Sequence, residues 1–380
     1  MTRTWDIFCS VVDNYGDVGV CWRLARQLST ELHQRVRLWV DKPESFQRIC
    51  HALDPALESQ EIAGVEIRRW RKSFPLVAPA DIVIEGFGAP LPESYVDAMA
   101  ARSSSPVWIN LEYLSAESWV EGCHGLPSPQ PRLPLVKYFF FPGFTSATGG
   151  LLMESGLAQV RDTFQNDPAA LEHFWHDIGV SPAPRAVLKV SLFCYDNLAL
   201  PSLVSAWSNS RVPIVCMVPA GAVLDQVSAI LGCGIEPGSR LVRGRLTIEA
   251  LPFLDLDQYD RLLWACDINF VRGEDSFVRA QLAARPMVWQ AYPQKEDAHI
   301  AKVNAFVDRH VIGLDELSAQ AVRACYMAWN QQSSAAGLGW AAFLGRHVAV
   351  AAHASAWARD LAAGGSLAIK LAEFCQDRLE

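Results

Sequence analysis

The stretch WDIFCSVVDNYGDVGVCWRLARQL, residues 5–28, contains the pattern on which the fold assignment rests. Its first part, 5–12, is almost continuously apolar, as in a strand that is covered on both faces of a parallel sheet. Gly16 and Gly19 then break the run and permit a tight turn. An amphipathic pattern over 18–33 follows and predicts a helix. The order strand, turn and helix is typical of the first unit of an α/β domain.

The same alternation continues through the first half of the chain. Further apolar runs predict strands, and amphipathic stretches between them predict helices. The strands fall at 36–40, 82–86, 107–110 and 138–141, and the helices near 43–53 and 92–102.

A proline-bearing segment of small residues at 178–186 separates this half from the next, and we interpret it as the interdomain linker. The alternation then restarts, with strands predicted at 187–193, 213–218, 267–271 and 286–290, helices near 199–208, 221–231, 257–266, 276–284 and 297–310, and C-terminal helices at 339–362 and 366–379. We therefore predict two Rossmann-like domains, 1–178 and 187–362, that face each other across a central cleft. The C-terminal helix, 366–380, is expected to pack back on the first domain.

Bulk composition agrees with two packed domains and narrows the class of protein. A chain of 380 residues, 51% of them hydrophobic and 19% charged, is long and apolar enough for two cores. A formal net charge of −8 disfavours a nucleic-acid-binding protein. No stretch approaches the ~20 apolar residues of a membrane span, and no signal peptide is recognisable. The ten cysteines are scattered without a C-x-x-C pair, so we expect free thiols and a cytoplasmic location.

The turn after the first predicted strand carries two carboxylates, Asp13 and Asp17. A local interpretation is that Asp13 forms an Asx-turn and that Asp17 caps the helix or lies in its first turn. A functional interpretation is that the pair forms an anionic pocket that holds a cationic acceptor and takes its proton. Spacing alone leaves both interpretations open.

The second half has an equivalent junction, where the strand 267–271 leads into Arg272-Gly-Glu-Asp-Ser-Phe277 and a helix. The helix N-terminus and Arg272 together suit a diphosphate. The alternative is that its acids and Ser276 merely belong to an ordinary helix start. Upstream, Phe253 either stacks on a nucleobase or packs in the core. Neither junction has the G-x-G-x-x-G of a dinucleotide fold, so a nicotinamide dehydrogenase is the least favoured enzyme.

The strings DNYGDVGVCWRLARQL at 13–28 and VRGEDSFVRAQLA at 271–283, together with INLEYLSAESW at 109–119 and FFFPGFTSATGGLL at 139–152, resemble the EarP family of elongation factor P arginine rhamnosyltransferases. The resemblance covers essentially the whole chain. It implies a GT-B fold, an inverting mechanism without metal or cofactor, and dTDP-β-L-rhamnose as donor. It also implies that the acceptor is a loop arginine in the N-terminal domain of elongation factor P, whose modification relieves ribosome stalling at polyproline.

The resemblance also assigns roles to residues of this chain. Asp13 and Asp17 become acceptor-side carboxylates, with Asp17 as the general base, and Glu274 is a further catalytic candidate. Asp275 and Ser276 fall with Glu274 at the donor diphosphate and sugar, and Phe253 stacks on thymine. The remaining candidates are donor contacts at Tyr15, Gly16, Phe193, Arg272 and Tyr292, and acceptor contacts at Glu112, Tyr113 and Glu117.

Metal is not expected, because the one D-x-D sequence, Asp255-Leu-Asp257, begins a helix pattern rather than ending a strand. Two alternatives to protein rhamnosylation stay open. One is a GT-B-like enzyme that acts on a small molecule, including a nucleotide-sugar epimerase. The other is a non-catalytic protein that binds a nucleotide or elongation factor P.

Overall fold

The computed structural model describes residues 2–12, 15–180 and 187–379. Asp13 and residues 181–186 of the predicted linker therefore lie outside the described residues. The chain divides into two compact units, the first formed by Met1–Ser155 with Leu361–Glu380 and the second by Gly156–Asp360. Each unit contains a mainly parallel β-sheet with helices, as predicted.

Within the described residues, the two units together contain fourteen strands. They are β1 Thr4–Cys9, β2 Arg35–Val40, β3 Ser59–Ile62, β4 Val65–Arg69, β5 Ile82–Gly86, β6 Val107–Leu111, β7 Pro127–Pro129, β8 Val136–Phe140, β9 Leu188–Leu192, β10 Ile214–Pro219, β11 Arg240–Arg243, β12 Leu246–Leu251, β13 Ile268–Arg272 and β14 Met287–Gln290.

The helices follow the same numbering along the chain. They are α1 Gly16–Thr30, α2 Pro43–Ile49, α3 Glu93–Ala100, α4 Trp119–Cys123, α5 Leu157–Asn166, α6 Pro168–Asp177, α7 Leu200–Ser208, α8 Ala222–Leu231, α9 Leu256–Ala265, α10 Asp275–Leu282, α11 Ala298–His310, α12 Glu316–Asn330, α13 Ala336–Leu344, α14 His347–Ala363 and α15 Leu367–Leu379.

The sheet of the first unit has the strand order β3-β4-β2-β1-β5-β6-β8-β7. The strands from β4 to β8 in this order are parallel, and β3 and β7 run antiparallel at the two edges. In register, Cys9 pairs with Gly86, and Gly86 pairs with Leu111. The loops that follow β1, β5 and β6 therefore leave from one edge of the sheet, which is where ligands bind in such folds.

The sheet of the second unit has the order β11-β12-β10-β9-β13-β14, with β11 antiparallel and the others parallel. Two polar anchors set the helices that flank its β13 strand. Asp255 caps α9 in a capping box with Gln258. Arg279 of α10 makes a buried bidentate ion pair with Asp260 of α9, with N–O distances of 3.0 and 2.6 Å. Since breaking a buried pair costs ~3–5 kcal/mol, α10 is firmly placed.

The C-terminal helix α15 belongs to the first unit. The amide of Leu367, the first residue of α15, donates to the Leu151 carbonyl at 2.9 Å. The Gln27 side chain of α1 donates to the Ser366 hydroxyl at 3.1 Å and to the Met153 carbonyl at 2.7 Å. The last helix is thus fastened to the first helix of the chain.

The predicted strands and helices are found with small shifts at their ends, apart from three differences. The strands β3, β4, β7 and β11 were not predicted, because these short, partly exposed segments contain many polar residues and their apolar pattern is weak. The helix predicted over 339–362 is two helices, α13 and α14, which are separated at Gly345 and Arg346. Helices α5 and α6 belong to the second unit, whereas the sequence boundary placed them in the first. No helix within the described ranges is both long and apolar enough to span a bilayer.

Candidate functional site

The first candidate site lies where β1 leads into α1. Asp17 stands in the first turn of α1, and its side chain is buried, with 2% of its surface exposed. One carboxylate oxygen accepts a hydrogen bond from the Val12 amide at 2.8 Å, and the other accepts one from the Tyr113 hydroxyl at 3.2 Å. Both oxygens therefore contact groups outside α1. Asp17 ties the incoming loop and the end of β6 to the helix start, which is more than the role of a first-turn acid.

The loop before Asp17 is held by a residue that the sequence analysis missed, Asp41 at the end of β2. The Ser10 hydroxyl and the Val11 amide donate to the Asp41 carboxylate at 2.8 and 2.9 Å. The neighbouring Lys42 ammonium donates to the Val11 carbonyl at 2.6 Å. Ser10 and Val11, which directly follow β1, are thus fixed by the residues that follow β2.

Behind Asp17 lies the buried thiol of Cys9. A hydrogen bond with the Cys21 side chain, burial, and then the charges of Asp17 and Asp41 raise the pKa of Cys9 well above its usual value. The thiol is therefore neutral and unreactive.

The predicted acceptor contacts follow β6 at the same sheet edge, and they have different surroundings. Tyr113 meets Asp17 directly and stacks on Phe87, with ring centroids 4.4 Å apart and an interplanar angle of 18°. Glu112 accepts a hydrogen bond from the Asn110 side chain at 2.6 Å. Glu117 accepts one from the Ser115 hydroxyl at 3.0 Å. The structure thus brings Tyr113 to Asp17, with Glu112 beside Tyr113 in the chain.

Two predicted donor contacts, Tyr15 and Gly16, lie in this same junction of the first unit. Gly16 is the first residue of α1, and Tyr15 is its N-cap residue without a side-chain capping hydrogen bond. Asp13, the other predicted carboxylate, lies outside the described residues, so its position stays a prediction.

The second candidate site lies where β13 leads into α10, and its main feature is the cation Arg272. The Arg272 guanidinium carbon lies 4.5 Å from the ring centroid of Phe193 and 4.3 Å from that of Tyr195. Tyr292 meets Tyr195 edge to face with centroids 5.3 Å apart. Tyr195, which the sequence analysis missed, therefore joins three of the predicted donor contacts in one cluster. Cation–π contacts of this kind hold a guanidinium in place without neutralising it.

The start of α10 supplies the backbone of this site. Gly273 has a φ of +64°, a left-handed conformation that allows the chain to turn sharply after Arg272. Glu274 is the N-cap residue and makes no side-chain capping bond, while Asp275 and Ser276 are buried in the first turn. The Ser276 hydroxyl donates to the Arg272 carbonyl, so Ser276 is not the helix cap. The amides of this turn and Arg272 form a positive end for an anion.

Two buried groups beside Arg272 stay neutral. Burial raises the pKa of the Tyr259 phenol far above its usual value, against the opposing charge of Arg272. Burial likewise raises the pKa of the Cys194 thiol to about 12, again opposed by Arg272.

Phe253 and two histidines outside the two junctions also have defined surroundings. Phe253 follows β12 and is half-buried. His173 forms an exposed pair with Asp177 at 3.3 Å. The His124 Nδ1 atom accepts a hydrogen bond from the Phe141 amide at 3.0 Å, and burial lowers the pKa of His124. Within the ranges that the structure describes, no group of three or more His, Cys, Asp and Glu side chains could hold a metal ion.

Comparison of the chain with protein families gives a match over almost its whole length. The family described as "Elongation-Factor P (EF-P) rhamnosyltransferase EarP" matches residues 5–376. The chain belongs to the EarP family. The enzyme class predicted from the sequence, a glycosyltransferase, is thereby confirmed.

Curated relatives of this EarP-family chain agree along its length. The protein-arginine rhamnosyltransferase of Pseudomonas putida is 47% identical over 380 residues, which are 100% of both chains. The protein of the same name from Pseudomonas aeruginosa is 46% identical over 377 residues, covering 99% of this chain and 100% of its own.

Solved structures confirm the predicted GT-B-like fold class of this EarP-family chain. One structure, described as the structural basis for EarP-mediated arginine glycosylation of translation elongation factor EF-P, is 33% identical, has a TM-score of 0.72 and covers 99% of both chains. The spinosyn forosaminyltransferase SpnP shares only the fold, at 10% identity and a TM-score of 0.51 over 99% of this chain and 100% of that one.

Proposed function

We propose that this enzyme transfers L-rhamnose from dTDP-β-L-rhamnose to an arginine side chain of translation elongation factor P, with inversion at the anomeric carbon. Family membership over residues 5–376 supports the general reaction. The observation that carries the chemical assignment is Asp17, whose buried carboxylate is oriented by the Val12 amide and the Tyr113 hydroxyl. A positioned carboxylate at a ligand-binding sheet edge suits a general base.

The acceptor makes a base necessary. An arginine guanidinium is protonated at neutral pH, since its pKa is above about 12, and its nitrogens are poor nucleophiles. In the proposed step one guanidinium nitrogen attacks C1 of rhamnose and passes a proton to Asp17. The C1–O bond to the diphosphate breaks, and its electron pair leaves with dTDP. We assign Asp13 and Glu112 to holding the guanidinium, with Tyr113 and Glu117 as further acceptor contacts.

The donor side relies on the second unit. As dTDP leaves, negative charge develops on the diphosphate, and Arg272 with the amides at the start of α10 can stabilise it without a metal. We assign Glu274, Asp275 and Ser276 to the diphosphate and sugar, and Phe193 and Tyr292 to the donor around Arg272. The half-buried Phe253 is assigned to thymine, and Tyr15 and Gly16 complete the proposed donor contacts.

The proposed partner is the N-terminal domain of elongation factor P, modified at a loop arginine to relieve stalling at polyproline. A translation factor works on ribosomes, so we also propose that the enzyme acts in the cytoplasm. The reaction uses no cofactor beyond the sugar nucleotide.

Mass spectrometry of elongation factor P tests the proposal. After incubation with the enzyme and dTDP-β-L-rhamnose, the acceptor should gain the mass of one deoxyhexose on a single arginine, and NMR of the product should show the inverted α-linkage. An acceptor with that arginine changed to Lys is the matched control and should stay unmodified. Turnover of the sugar nucleotide without an acceptor would indicate an epimerase or a small-molecule enzyme instead. Nucleotide binding without any turnover would indicate a binding protein.

A further inference from the structure

The turn after β5 has an unusual backbone. Phe87 has a φ of +58° and Gly88 a φ of +71°, and the Ala89 amide donates to the Gly86 carbonyl at 3.2 Å. Two successive left-handed residues inside such a hydrogen bond are characteristic of a type I′ turn. Glycine and asparagine are the usual residues there, because a Cβ atom is strained at positive φ. A phenylalanine in the first of these positions therefore needs a reason.

The Phe87 ring contacts the residue that orients the proposed base. It stacks on the Tyr113 ring at 4.4 Å, and the Tyr113 hydroxyl donates to Asp17 at 3.2 Å. Tyr113 itself is 40% exposed, so the protein encloses it only in part. A half-exposed tyrosine has several rotamers open to it, and a flat ring against its face restricts them.

The same turn also reaches the second carboxylate of this edge. The Gly88 amide donates to the Asn110 side-chain oxygen at 3.0 Å, and the Asn110 amide group donates to Glu112 at 2.6 Å. The turn is fixed to β6 by the Phe87 amide, which donates to the Leu111 carbonyl at 2.8 Å. One short turn thus supports the partners of Asp17 and of Glu112.

We propose that Phe87 is a positioning residue for glycosyl transfer: its ring, presented by the left-handed turn, fixes Tyr113 so that the Tyr113 hydroxyl holds Asp17 in its reactive orientation. The proposal rests on the function proposed above, with Asp17 as base. Phe87 touches neither substrate nor reacting atoms in this role. It acts through Tyr113 on the rate of the chemical step.

The decisive variant is Phe87→Gly, because glycine adopts the left-handed conformation without strain. The thermal midpoint of the variant should be equal to or above that of the unmodified enzyme. Its kcat should fall about tenfold to a hundredfold, the range for a reacting group displaced by about 1 Å. The KM for dTDP-rhamnose should stay unchanged. A residue that served packing alone would instead lower the midpoint and leave kcat intact.

Two matched variants complete the test. Phe87→Tyr keeps the aromatic ring, so its kcat should equal that of the enzyme without substitutions. Ala63→Gly makes the same backbone change in the β3–β4 hairpin, where Ala63 and Gly64 have φ values of 51° and 74°, and it should leave kcat unchanged. Tyr113→Phe should lower kcat, and adding Phe87→Gly to it should cause little further loss, since both act through one hydroxyl.

The outcomes separate this proposal from the function on which it rests. A folded Phe87→Gly enzyme with unmodified kcat, a Phe87→Tyr enzyme as slow as Phe87→Gly, or additive losses in the double variant would overturn the positioning role. If the unmodified enzyme transfers no rhamnose to elongation factor P, the proposed function fails and the positioning role fails with it.

Discussion

The two strand–helix junctions of this chain have the same backbone plan and opposite chemistry. At β1–α1 a buried carboxylate, Asp17, receives hydrogen bonds from an amide and a phenol. At β13–α10 a guanidinium, Arg272, lies against two aromatic rings, and helix α10 begins shortly after it. In both units the parallel sheet fixes only the edge at which these side chains lie. In the proposed reaction, the residues around each side chain suit Asp17 to accept a proton and Arg272 to hold an anion.

The neighbours also differ in kind. Asp17 is held by hydrogen bonds, which orient its oxygens, whereas the Arg272 guanidinium lies within cation–π distance of the Phe193 and Tyr195 rings. A base needs a defined direction toward one proton. A diphosphate site needs charge and several N–H groups. The two junctions should therefore respond differently to substitution.

The largest expected effect comes from Asp17→Asn, which keeps the shape of the side chain and one acceptor oxygen of the two that Val12 and Tyr113 contact, but removes the proton acceptor. Rhamnosyl transfer should fall by about 10²–10⁴-fold, the range for general-base catalysis, while dTDP binding and folding persist. Steady-state kinetics and calorimetry measure the two quantities. Asp97→Asn, on the exposed side of α3, is the control. Near-normal transfer by Asp17→Asn would remove Asp17 as base and direct attention to Asp13 or Glu112.

Arg272→Ala should reduce dTDP binding, the quantity that Asp17→Asn is expected to leave unchanged. Loss of charge-assisted hydrogen bonds should weaken dTDP binding by about 1.5–3 kcal/mol in calorimetry. Arg261→Ala, an exposed arginine of α9, should bind dTDP normally. Unchanged affinity in Arg272→Ala would show that the aromatic cluster holds this guanidinium for structural reasons, and the contrast between the junctions would lose its functional meaning.

Phe253→Ala tests whether the second junction extends to the nucleobase. If the half-buried ring stacks on thymine, its removal should weaken dTDP binding by about 1–3 kcal/mol, as for other base–aromatic contacts. Calorimetry with dTDP and with the base-free sugar phosphate separates the base contact from the diphosphate contact. Equal affinities of the variant and the unmodified enzyme for dTDP would assign Phe253 to packing.

The smallest expected effect is that of chelation. Because Arg272 and the α10 start are proposed to meet the diphosphate charge, transfer should be unchanged in excess EDTA. Product formation followed by mass spectrometry is the measurement. Activity that disappears with EDTA and returns with Mg²⁺ would mean that the second junction needs a metal in addition to its cation.

The strands that carry these junctions were predictable, because nearly continuous apolar runs between glycine-bearing turns identify buried parallel strands. The side chains that support each site were not predictable. Asp41 follows β2 and Tyr195 follows β9, so each contacts its junction from a distant part of the chain. No spacing along the sequence connects them to Asp17 or Arg272. Phe87 was invisible for a different reason. Its importance lies in a left-handed backbone, and phenylalanine is not a residue that predicts one.

The hydrogen bonds that join Gln27 to Ser366 and Met153 have a consequence for biosynthesis. The unit that bears Asp17 is interrupted in the chain by the whole of Gly156–Asp360 and is completed by residues translated after it. The second unit is contiguous, whereas Gln27 and Ser366 of the first unit are 339 positions apart in the chain. Because contacts between residues so distant in sequence form slowly, we expect the first unit to complete its fold after the second. Until then the face of α1 that α15 covers is exposed to water or to a chaperone.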